Sequence, residues 1–108
     1  MYDNLNQWGP RMWRDLHRKT LAYPDCPRER DKSRMLYLFY NLPYDLPCPA
    51  CATHLQELLE EYPLTDIILS SRKRLVYWLI DIHNMVNVSL GKPKLSYEYA
   101  IALQLDEC

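Results

Sequence analysis

Apolar residues recur along this chain at steps of three and four, and no stretch alternates in the two-residue rhythm of a strand. Trp8, Met12, Trp13, Leu16, Thr20 and Leu21 mark a first helix over about 7–22, with Pro10 in its first turn, where no backbone donor is needed. Pro24 and Pro27 in "YPDCP" end it. A second helix is expected over about 28–41, turning Met35, Leu36, Leu38, Phe39 and Leu42 inward, and "LPYDLP" reads as a proline-punctuated connector. A third begins at Cys48 or Pro49 and reaches about Glu61, burying Leu55, Leu58 and Leu59. The longest spans about 72–90, capped by Ser70 or Ser71 and stopped by Gly91 and Pro93, with Leu75, Trp78, Leu79, Ile82, Val86 and Leu90 as its ladder. "SYEYAIALQL" has room for a short fifth helix capped by Ser96. The pattern predicts an all-α fold of four principal helices and a short one, and residues 1–108 are expected to form a single domain around one core.

Composition removes several classes of function. A net charge of −1, with Arg72-Lys73-Arg74 as the densest basic run, lacks the broad basic face of a nucleic-acid binder. No run approaches the ~18 to 20 apolar residues of a membrane span, and the first residues lack the order of a secretory leader, so a cytoplasmic protein is expected. In a reducing compartment a closely spaced cysteine pair is more often metal-binding or redox-active than structural.

That pair is Cys48 and Cys51 in "LPCPAC". Pro49 suits the first helical position, which makes Cys48 the N-cap and puts Cys51 one turn in, on nearly the same face. Unpaired N–H groups and the positive dipole end there favour thiolate over thiol. Zinc is the rival use, because His54 extends the pair to C-x-x-C-x-x-H and Cys26 offers a fourth donor. A second cluster lies in "WLIDIHNMVNVSLGKP", residues 78–93. His83, Asn84 and Asn87 interrupt an apolar helix face and need partners if buried. With Trp78 as a stacking face and Lys92 as a cation, they suit a flat, polar-edged, anionic ligand, and His17 is a further candidate on its wall.

"WGPRMWRDLH" at 8–17, "YPD" at 23–25, the Cys48–Cys51 pair and the 78–93 segment together resemble the Erv/ALR family of FAD-linked sulfhydryl oxidases, in the family's order and approximate spacing. The resemblance implies a four-helix bundle holding FAD at one end. It implies that Cys51 is the flavin-proximal cysteine and Cys48 the outer one, attacked by incoming thiols. Gly9, Pro10, Trp13, His17, Trp78, His83, Asn84, Asn87 and Lys92 match flavin-contacting positions, with Tyr99 or Tyr97 added from the last helix. Implied partners are thiol-containing proteins, such as a thioredoxin-like carrier or a viral relay protein, O2 as electron acceptor, and a second copy in a homodimer. Ile80 stands where many members have a cysteine, a departure shared with the small oxidases of large DNA viruses; helix packing is expected to replace that clamp. Cys26 and Cys108 are left over, as relays, bridges between subunits, or inert thiols.

Overall fold

The computed structural model describes residues 4–108 as six helices, with no strand among them. These are α1 (Leu5–Leu21), α2 (Glu29–Asp45), α3 (Pro49–Glu61), the one-turn α4 (Asp66–Leu69), α5 (Arg72–Ser89) and the short α6 (Glu98–Ala102). Helix α1 packs on α5 and α2 on α3, and α4 touches both α2 and α5. Leu75 and Leu79 of α5, both 0% exposed, meet Leu16, Phe39, Leu55 and Leu58 in one apolar core. Truncating either leucine to alanine costs about 2 to 5 kcal/mol by the usual transfer and cavity terms.

The capping chemistry read from the sequence is present at two helix starts. Cys48 is the N-cap of α3 with Pro49 at the first helical position, and the Ser71 Oγ accepts the Arg74 N–H to open α5. Gly91, at φ +72, closes α5 in the left-handed conformation that glycine adopts without a Cβ penalty. Ser96 serves α6 from one residue further out, its Oγ accepting the Glu98 N–H at 3.0 Å.

Four local expectations are corrected. Helix α1 starts at Leu5, so Pro10 lies in its second turn and deprives the Asn6 carbonyl of its helical donor; both residues are exposed, where water can replace that bond. Helix α2 does not stop at Asn41 but carries Pro43 inside it to Asp45, because Pro43 is buried and Leu42 packs on the core. Leu36 is 39% exposed rather than inward. Between Glu61 and Arg72 the chain makes the extra turn α4, begun by the Thr65 Oγ1 accepting the Ile68 N–H.

Connectors are fastened by side chains reaching main-chain groups. Tyr23 donates to the Leu69 carbonyl at 2.7 Å, and Tyr40 donates to the Leu59 carbonyl while accepting the Leu64 N–H. Burial, with Asp31, Asp66 and Glu29 nearby, pushes the Tyr23 hydroxyl up to about 12, so it stays a donor.

Candidate active site

The cysteine pair begins a helix, and its geometry follows from that. The Cys48 Sγ accepts the Cys51 N–H at 3.2 Å, and the two sulfurs are joined to each other, with Cα atoms 5.2 Å apart. Cys51 is half-buried and faces a small cavity, of about 40 Å³, walled by Trp8, Met12, Trp13, His54 and Leu55. Cys48, expected as the outer sulfur, is 0% exposed, so an incoming thiol reaches it only after local opening of the segment before α3.

Trp13 is shared with a larger cavity, of about 430 Å³, between the first half of α1 and the end of α5. Gly9, Pro10, Trp13, Arg14, His17, His83, Asn87 and Lys92 all lie on its wall. A Cβ on Gly9 would come within 3.0 Å of the Leu5 Cδ1, itself part of that wall, so glycine leaves the leucine room to lie there. His17 is shared in turn with a third cavity, of about 440 Å³, walled also by Thr20, Ile80, Ser96 and Tyr99. The three cavities, each sharing a wall residue with the next, thus lie in a run of neighbours from Cys51 to Tyr99.

At its middle, the His83 ring stacks on Trp13, with centroids 3.9 Å apart and planes 4° from parallel. The His83 Nδ1 lies 2.8 Å from the His17 Nε2, so one imidazole donates and the other accepts. Burial, then the nearby His17 and Lys92, pushes His83 down to about 4; burial also lowers His17. Both rings are therefore neutral near pH 7 and keep donor and acceptor roles without charge.

Two expected wall residues are used elsewhere. Trp78 is 6% exposed in the core, edge-on to Phe39, and its Nε1 donates to the Tyr62 carbonyl. The indoles presented to the cavity run are Trp8 and Trp13 of α1. Asn84 spends its amide on the backbone of Leu95, donating at 3.2 Å and accepting at 2.6 Å, and so pins the 92–97 connector. Of the two tyrosines, Tyr99 is on the run, whereas the Tyr97 ring lies against Tyr77 and its hydroxyl donates to Asp81. Arg14 is a wall residue that sequence reasoning missed; its place four residues after Pro10 and three before His17 was the available signal.

The zinc reading needs free thiolates, and the sulfurs it would use are all engaged: Cys48 to Cys51, and Cys26 to Cys108. Cys26 and Cys108 join within the chain, which corrects the expectation of a bridge between subunits or of two inert thiols.

A disulfide at a helix start, facing an aromatic, imidazole-lined run of cavities, is an arrangement that can carry thiol–disulfide exchange beside a flat ligand. The chain belongs to the Erv1 / Alr family, whose profile matches residues 10–106. It is 47% identical over 95 residues to a probable FAD-linked sulfhydryl oxidase of Acanthamoeba polyphaga mimivirus, covering 88% of this chain and 66% of that relative. It is 33% identical over 90 residues to the FAD-linked sulfhydryl oxidase of an African swine fever virus isolate, covering 83% and 73%. Among solved structures it resembles the yeast Erv1 core, with a TM-score of 0.83 at 28% identity over 90% of this chain and 80% of that one. The FAD-binding domain of Saccharomyces cerevisiae Erv1 matches with a TM-score of 0.83 at 27% identity, covering 92% and 91%. The chain thus spans about two thirds of the mimivirus relative's length and more of the swine fever virus one's.

Proposed function

We propose that this chain is an FAD-dependent sulfhydryl oxidase, forming disulfides in thiol-containing substrate proteins. The observation that carries the reading is the Cys51 face of a disulfide sharing a cavity with Trp13, on which His83 is stacked. The run beyond it fits an elongated dinucleotide. It has an aromatic and imidazole middle, Arg14 and Lys92 as cations for a diphosphate, and Tyr99 at the far end. Gly9, Pro10, Trp13, His17, His83, Asn87, Lys92 and Tyr99 would hold it; Asn84 supports that wall through the backbone of Leu95, and Trp78 belongs to the core. When bound, FAD accepts two electrons from the reduced cysteine pair and passes them to O2, giving hydrogen peroxide.

The chain's own chemistry is thiol–disulfide exchange. A substrate thiolate attacks the Cys48 Sγ, the Cys48–Cys51 bond breaks, and its electron pair leaves on Cys51. The positive end of α3 stabilises that thiolate. A second substrate thiolate then attacks the substrate sulfur of the mixed disulfide and displaces Cys48. The Cys51 N–H, already directed at the Cys48 Sγ, makes Cys48 the better leaving thiolate in that step. One substrate disulfide and one Cys48/Cys51 dithiol result, which balances the exchange. Two neutral imidazoles keep extra positive charge out of the middle of the run.

All 108 residues serve as one domain in this reading, and the physiological donor is a protein dithiol, such as a thioredoxin-like carrier or a viral relay protein. The family's viral members make a viral origin the favoured one. Leu36, Tyr37 and Tyr44, exposed on α2, support a homodimer through helix faces. Among the described residues no helix is long and apolar enough to cross a membrane. The test is the visible spectrum and oxygen uptake of purified protein with a dithiol. Yellow protein that bleaches on adding dithiol and consumes oxygen is expected; a folded, colourless protein that stays colourless when supplied with FAD overturns the reading.

A further inference from the structure

The Cys26–Cys108 disulfide joins residues 82 apart in sequence, both of them exposed. Cys26 lies in the connector between α1 and α2, which is fixed to the start of α5 through Arg72. The Arg72 guanidinium pairs with Asp25 at 2.9 Å and donates to the Leu21 carbonyl at 3.2 Å. Cys108 follows the stretch in which Leu105 packs, with Leu21 and Tyr77, around Val76, Ile80 and Ala100. The disulfide therefore ties segment 98–108 down across the groove between the end of α1 and the first half of α5.

Little else holds that segment. Helix α6 has five residues and buries one of them, Ala100 at 2% exposure, while Tyr99 and Ile101 stand 67% and 61% exposed. A helix that short does not persist by itself in water. Beyond it the Arg74–Glu107 pair is 4.0 Å long with both side chains half-exposed, which contributes little. Upstream, the Asn84 amide and the Tyr97–Asp81 hydrogen bond fix residues 95–97, but they act before α6 begins. Glu98 and Tyr99 contribute to the wall of the third cavity, together with His17 and Thr20 of α1.

We propose that the Cys26–Cys108 disulfide is a redox staple, holding segment 98–108 closed over the α1–α5 groove and releasing that wall of the cavity run when it is reduced. A dithiol reductant supplies both electrons. One of its thiolates attacks either sulfur, the Cys26–Cys108 bond breaks, and the second thiolate closes the reductant into a disulfide, leaving Cys26 and Cys108 as thiols. The staple itself stands on the fold; its consequence for cofactor retention rests on the FAD reading above.

Hydrogen exchange on the flavin-loaded wild type and on the Cys26→Ser/Cys108→Ser double variant tests it, together with the flavin-to-protein ratio after dialysis. In the variant, amides of 98–108 exchange faster by about tenfold or more while mid-α5 stays protected, and flavin is lost sooner. Unchanged exchange in 98–108, or acceleration spread evenly over α1 to α5, overturns the staple. Freed 98–108 with equal flavin retention overturns its link to the cofactor. Wild type without flavin counts against the FAD reading and leaves the exchange comparison standing. Should the double variant not fold, graded phosphine reduction of the wild type, followed by alkylation and peptide mapping, takes its place. Labelling of Cys26 and Cys108 ahead of Cys48, with 98–108 opening in step, supports the staple, and labelling with 98–108 still protected overturns it.

Discussion

Two disulfides share this small chain and differ in almost every physical respect. Cys48–Cys51 bridges a single helical turn, has one sulfur fully buried, and opens onto an aromatic cavity. Cys26–Cys108 bridges 82 positions, is exposed at both ends, and lies against a loop and a five-residue helix. In the chain-entropy model the long bridge constrains the unfolded chain by about 4.5 kcal/mol and the short one by about 2 kcal/mol. The short bridge thus constrains the unfolded chain less than the long one does, and it is the one to which the proposed function gives the chemistry. Position relative to a helix start and a cavity, not the presence of an S–S bond, separates a reacting disulfide from a fastening one.

The sharpest way to break this contrast is to remove a sulfur from each. Cys48→Ser or Cys51→Ser should reduce dithiol-driven oxygen uptake to background while bound flavin stays and thermal unfolding shifts only modestly; an electrode trace and a melting curve on the same preparation check both. The Cys26→Ser/Cys108→Ser pair should do the opposite, lowering stability by about 2 to 4 kcal/mol in denaturant titrations while turnover per bound flavin persists. Equal stability losses in the two sets would erase the distinction.

A third test uses acid. Burial holds His83 down at about 4 in the folded chain against an ordinary value of 6.5. Between those values the unfolded chain binds a proton that the folded one does not, so stability falls as pH falls through the window and is recovered above it. Melting temperatures of the wild type and of His83→Gln at about pH 7 and about pH 5 read this out, the variant being expected to show the flatter dependence. The smallest effect concerns the noncovalent partner of the long bridge: Asn84→Ala, which strips two hydrogen bonds from the Leu95 backbone, should cost about 1 to 3 kcal/mol and loosen the 92–97 connector in hydrogen exchange.

Most of the fold was legible in the sequence, because helical spacing and caps are local. The Pro49 start of α3, the Ser71 cap of α5 and the Gly91 stop needed only neighbouring residues to be recognised. Pro43 within α2 was not legible, since tertiary burial overrides a local preference that would end the helix there. Cys51, Trp13, His17 and His83 line neighbouring cavities, a convergence that the family resemblance implied and that spacing within one helix could not have shown. Trp78 and Asn84 share that helix's signature, but what they touch depends on Phe39, Tyr62 and Leu95, which come from other elements. The pairing of Cys26 with Cys108 was invisible for the same reason: each was a lone cysteine until the fold brought the α1–α2 connector beside residue 108.

The placement of the three indoles has an optical consequence. Trp8 and Trp13 stand on the wall that also carries Cys51, whereas Trp78 is sealed in the core among leucines and Phe39. A flavin in the run would accept excitation energy from the first two at short range, so filling the site dims their emission. Trp78, in an apolar setting, emits to the blue until the bundle melts and water reaches it. Intensity and wavelength of one fluorescence spectrum therefore report occupancy and folding as separate signals, with no label added.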